Sequence, residues 1–90
     1  MNNSLYEHLR NKTTLAFTHA DTQTALVGNK LRINVNDEEK NIELEKIRRV
    51  MTFGILGLSS DVIYELTKNQ IPLEMFENSG NPIAVLMPLK

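Results

Sequence analysis

Residues 23–35 constrain the fold of this chain more tightly than any other stretch. Lys30–Val35 alternates strictly, with Leu31, Ile33 and Val35 on one side and Lys30, Arg32 and Asn34 on the other. A period of two is that of a half-buried strand. Gly28-Asn29 separates this run from a second one, Gln23–Val27. Glycine at the first of two central positions supplies the positive φ of a type II′ turn, so the two runs read as a hairpin. A hairpin with one apolar side needs other elements to cover that side, which points to an antiparallel sheet on a core.

The rest of the chain supplies those elements. Thr13–Thr18, with Leu15 and Phe17, reads as a strand, and 19–22 as a turn. Asn36–Lys40 is polar, and alternation resumes at Ile42 and Leu44. If the apolar sets share one face, Val35 lies opposite Ile42 and Ile33 opposite Leu44. Arg32 then faces Glu45, Asn34 faces Glu43, and Asp37 to Lys40 form the loop. Arg48–Phe53 is a further strand, broken by Gly54 and Gly57. Ser59 or Ser60 caps a helix over Ser60–Asn69, with Asp61 in its first turn and Val62, Ile63 and Leu66 as its apolar stripe. Pro72 prevents that helix from passing Gln70. Ile71–Glu77 and Ile83–Met87 are the last two strands, joined by a turn at 78–82.

This order, five strands, a helix and two strands, lacks the strand–helix rhythm of a doubly wound parallel sheet. The expected fold is mainly β (α+β): a small antiparallel β-sandwich or open barrel of about seven strands with one packed helix. Leu31, Ile33, Val35, Ile42, Leu44, Val50, Phe53, Val62, Leu66, Ile71 and Leu73 are the expected core. Residues 2–11 are expected to form a short helix, with Ser4 and Glu7 at capping-box spacing. Residues 1–12 then form an N-terminal extension or linker, and 13–90 the β domain.

Composition narrows the functional classes. The chain has 90 residues, 41% of them hydrophobic, a formal net charge of −1 and no cysteine. That argues against a disordered chain and against a strongly basic nucleic-acid binder. It also excludes a disulfide framework or a thiolate metal site. With no apolar signal core and no membrane-length run, a cytoplasmic location is expected.

Few side chains point to chemistry. His8 and His19 have no second ligand at helical spacing. Ser59 and Ser60 lack a nucleophile elbow and are accounted for as helix caps. Asp37-Glu38-Glu39 lacks the further ligands and glycine of a calcium loop, and Gly54–Gly57 lacks the lysine of a phosphate loop. Hence no catalytic and no metal-binding residue is expected. Lys46, Arg48 and Arg49, with Lys30 and Arg32, could form a basic stripe for DNA phosphates. The alternative is that Arg32 pairs with Glu45 and the others are solvated. The C-terminal hairpin is apolar on both alternating sets, which makes Leu73, Met75, Phe76, Val85 and Leu86 a candidate homodimer surface.

From Lys30 to Pro88 the chain resembles the N-terminal β domain of the CRISPR adaptation integrase family, the CRISPR-associated endonuclease Cas-one. The resemblance rests on Leu31–Val35, Ile42-Glu43-Leu44, Ile47–Gly54, Leu58-Ser59-Ser60 with Val62 to Leu66, 70–76 and Gly80. Thr14–Gly28 matches the family's first hairpin more loosely. The resemblance implies a domain that helps form a homodimer, works with the adaptation partner Cas-two and positions DNA for spacer acquisition. It implies that Mg or Mn is bound by a separate helical domain of the parent metal-dependent endonuclease and integrase, so the chain itself carries no cofactor and is not an enzyme alone. The alternative is a stand-alone protein–protein interaction module or regulator without catalysis.

Overall fold

The computed structural model describes residues 12–19, 21–54 and 58–88. The expected helix at 2–11 and the glycine turn at 55–57 lie outside the described residues. The elements are β1 (Thr13–Phe17), β2 (Gln23–Val27), β3 (Lys30–Val35), β4 (Glu38–Glu43), a 3-10 turn at Leu44–Lys46, β5 (Ile47–Phe53), α1 (Ser60–Lys68), β6 (Leu73–Phe76) and β7 (Pro82–Leu86). They form a four-stranded sheet in the order β1-β5-β6-β7 and a three-stranded sheet in the order β2-β3-β4. Among the described residues, seven strands in two sheets with one helix are as expected.

The hand of two ladders is not. β1 and β6 both run parallel to β5, so the larger sheet is mixed, and only β7 is antiparallel to its neighbour. The link from β5 to β6 carries α1, the kind of crossover that a parallel neighbour requires. The smaller sheet is an antiparallel meander. Gly28, at φ 63°, opens the β2–β3 turn, with Val27 opposite Lys30.

The β3–β4 register departs from expectation. Val35 lies opposite Glu38 and Leu31 opposite Ile42, so the connection is Asn36-Asp37 and not a four-residue loop. Asn36 and Asp37 have φ of 52° and 65°. Positive φ at both central residues is the type I′ pattern, which matches the twist of a hairpin. Leu44 therefore leaves the ladder and caps the core from the 3-10 turn, its N–H donating to Asn29 O at 2.9 Å. Arg32 faces Asn41 rather than Glu45.

Side-chain periodicity also fails once, in β5. Ile47 and Val50 are both buried although three residues apart. The β1–β5 register slips between Thr13/Thr14, which face Ile47 and Arg49. Arg48 is thus the extra residue of a bulge, and the bulge turns both Ile47 and Val50 inward.

Helix α1 starts and stops by recognisable devices. Ser59 Oγ accepts a hydrogen bond from Val62 N at 3.3 Å, which makes Ser59 the N-cap. At the other end Ile71 N donates to Leu66 O at 2.8 Å and Gln70 N to Thr67 O at 3.1 Å. With Gln70 at φ 64° this is a Schellman motif, sealed by the buried pair Leu66 and Ile71.

The core comprises Phe17, Leu31, Leu44, Ile47, Val50, Val62, Leu66, Ile71 and Leu73. Phe17 and Ile47 join the expected set, while Ile33 and Ile42 are only half-buried around it. Val35 and Phe53 are also half-buried, because Val35 lies near the hairpin tip and Phe53 on the outer face of the larger sheet.

Candidate interaction surfaces

Two sets of side chains are candidates for binding, and the fold treats them differently. Among the basic residues, Lys30 and Arg32 are on the side of β3 opposite the buried Leu31, the outer face of the smaller sheet. Arg49 alternates with the buried Val50, so it stands on the outer face of the larger sheet. Because the shared core lies between these inner faces, Lys30 and Arg32 stand on a different outer face from Arg49. Arg32 Nε lies 3.6 Å from Glu39 Oε2, an ion pair too long for a hydrogen bond. Arg49 Nη1 lies 3.4 Å from Glu74 Oε2. Pairs this exposed contribute about 0–1 kcal/mol each. Lys46 ends the 3-10 turn and Arg48 sits at the bulge, both exposed. Lys30 is opposite Glu43, the last residue of β4 before that turn.

The apolar hairpin is divided by the larger sheet. Leu73 is 1% exposed and belongs to the core, so it offers a partner no surface. Its inward position follows from the ladder, where it sits beside Val50. Met75 is half-buried on the same face, opposite Ala84. Phe76 lies on the outer face and stacks on Phe53, with ring centroids 4.9 Å apart and 13° between planes. Val85 and Leu86 are exposed, at 52% and 40%. Ile83 and Met87 are exposed too. Every residue of β7 is in fact exposed, on both faces. Ile83 and Leu86 also form one wall of a groove of about 790 Å³, whose remaining apolar lining includes Leu58, Ile63, Leu73 and Met75.

Among the described residues no three His, Cys, Asp or Glu side chains converge on a point where a metal ion could be held. No described helix is long and apolar enough to cross a membrane.

The match to a family model decides the relationship. Residues 15–90 match the family described as CRISPR associated protein Cas1. This chain belongs to the Cas1 family. Solved structures agree in fold. A partial Cas6-RT-Cas1–Cas2 complex superposes with a TM-score of 0.80 at 16% identity, over 88% of this chain and 24% of that one. A Cas1 protein from Thermotoga maritima gives 0.72 at 16% identity, over 89% and 25%. A casposase bound to integration product gives 0.70 at 16% identity, over 87% and 26%. This chain therefore spans about a quarter of each of those proteins. No curated protein matches it by sequence. The donor set for the divalent ion that the resemblance implies for a whole Cas1 enzyme is not found among the described residues. Ile83, in the turn-proximal half of β7, lines the groove and is exposed but was not among the candidate surface residues; its clue was the unbroken apolar run 83–87.

Proposed function

We propose that this chain acts as the assembly and DNA-positioning domain of a Cas1-type integrase in spacer acquisition, and that phosphodiester chemistry with Mg or Mn is not performed by these 90 residues. The observation that carries the reading is the pairing of Cas1 family membership with an apolar C-terminal strand that leaves both faces exposed. A strand of this kind in a small domain gains by burying surface shared with a partner. The partner proposed is a second copy, through Met75, Phe76, Val85 and Leu86, with Cas2 joining the assembled dimer. Duplex phosphates are proposed to meet Lys30 and Arg32 on the outer side of the smaller sheet, Lys46 in the 3-10 turn, and Arg48 and Arg49 on β5. A net charge of −1 makes that contact weak for the chain alone and steeply sensitive to salt.

Sedimentation of the chain at micromolar concentration tests the reading. A dimer is expected, and Val85→Glu or Leu86→Glu should convert it to a monomer with an unchanged far-UV spectrum. A strict monomer at all concentrations, in the parent and in both variants, defeats the proposal.

A further inference from the structure

Resting on the reading that the chain self-associates, we infer that two copies join through the free edges of β7, running antiparallel about a two-fold axis at Val85. Among the described residues β7 ends the larger sheet, and no described strand pairs with its outer N–H and C=O groups. β4, an edge of the other sheet, carries Glu38, Glu39, Lys40 and Glu43, the charges that discourage strand addition. β1 and β2 carry no charge, but each buries part of its side-chain set. β7 alone has neither charge nor buried side chain. An uncharged strand can lie against its own copy without repulsion, which a strand such as β4 cannot.

Symmetry and proline then select the register. Joining two copies into one continuous sheet keeps like faces on the same side, so one residue of β7 must pair with itself. Proline has no N–H to donate and closes a ladder wherever it falls. Pro82 and Pro88 stand equally far from Val85 on either side. Centring on Val85 sets proline opposite proline and leaves 83–87 free to pair. Centring on Ala84 sets Pro82 opposite Leu86, and centring on Leu86 sets Pro88 opposite Ala84, so each wastes a donor inside the ladder. The Val85 register also sets small Ala84 opposite large Leu86 and brings Ile83 opposite Met87, which follows the strand; both are exposed, at 61% and 63%. The product is an eight-stranded sheet in which each copy's Leu86 extends the wall of the neighbouring groove.

Cysteine cross-linking reads this register directly, since the chain has no cysteine of its own. In the assigned register the two Val85 Cα atoms are about 4.5–5.5 Å apart, within the span of roughly 4.4–6.8 Å that a disulfide bridges. Two Ala84 positions, or two Leu86 positions, are offset by two residues along the strands and lie about 8 Å apart. Under mild oxidation Val85→Cys should yield at least about tenfold more covalent dimer than Ala84→Cys or Leu86→Cys alone. An equal mixture of Ala84→Cys and Leu86→Cys should cross-link efficiently, which keeps the test valid if the substitution at Val85 itself weakens association. Far-UV spectra establish that each variant is folded. A sedimenting dimer in which Ala84→Cys or Leu86→Cys links with itself, or in which no combination links, overturns the edge pairing and leaves self-association standing. A folded chain that is monomeric throughout overturns both.

Discussion

Replacing Gly54 with alanine attacks the point where β5 ends and the C-terminal hairpin turns back against it. Gly54 has φ of 88°, and its N–H donates to Phe76 O at 2.9 Å. A methyl group added at its Cα would run into Asn78 Oδ1 and approach Asn78 Cγ to 3.0 Å. Two costs follow. The left-handed backbone disfavours a residue with a Cβ by about 1–2 kcal/mol. Forcing Asn78 off its rotamer adds about 0.5–1.5 kcal/mol. The sum, about 1.5–3.5 kcal/mol, is a large share of the roughly 5–10 kcal/mol available to a domain of this size. In urea, followed by far-UV circular dichroism, the Gly54→Ala midpoint should fall by about 2 M. Asn78 is exposed, so Asn78→Ala alone should change stability by less than about 0.5 kcal/mol. Combined with Gly54→Ala it should recover the side-chain part, about 0.5–1.5 kcal/mol, and leave the backbone part in place. An unchanged midpoint for Gly54→Ala, or additive effects in the double variant, would refute this account of the turn.

Two further outcomes are expected. Leu31→Ala, at a position 1% exposed, should cost about 3–4 kcal/mol and Ile33→Ala, half-buried, about 1–2 kcal/mol; equal or reversed losses in denaturant titrations would mean that the β3–β4 register is wrong. Gln70→Gly should raise the thermal midpoint slightly and Gln70→Val should lower it, because only glycine takes the left-handed Schellman position without strain; the opposite ranking in a melting experiment contradicts the helix terminus described.

What was legible in the residues was local. Gly28 between two alternating runs gave the β2–β3 hairpin, and Ser59 ahead of Val62 and Leu66 gave the helix with its cap. The β3–β4 register was misread because Asn36-Asp37 lacks the glycine that advertises a two-residue turn. Both residues nonetheless adopt positive φ, as short polar side chains tolerate. Nothing in periodicity reports which distant strands become neighbours, so the parallel ladders of β1 and β6 on β5 were invisible. Ile47 escaped the expected core for a related reason. The strand was expected to begin at Arg48, and the bulge there breaks the period of two that would relate Ile47 to Val50. Which sheet carries each basic residue was equally hidden: Lys46, Arg48 and Arg49 are dense along the chain, but Arg32 belongs to β3 of the smaller sheet and Arg49 to β5 of the larger.

The insertion of the entire three-stranded sheet between β1 and β5 has a consequence for the order of folding. β2, β3 and β4 meet through two-residue turns, so their contacts close small loops and can form early. Among the described elements β1 has no partner until β5 arrives, and during synthesis it leaves the ribosome ahead of the meander while its ladder mate follows it. Pairing of Thr13 with Ile47 then ties the two ends of the inserted sheet together, like a drawstring closed last. Substitutions in the β2–β3 turn should therefore slow folding, whereas those in β1 should chiefly speed unfolding.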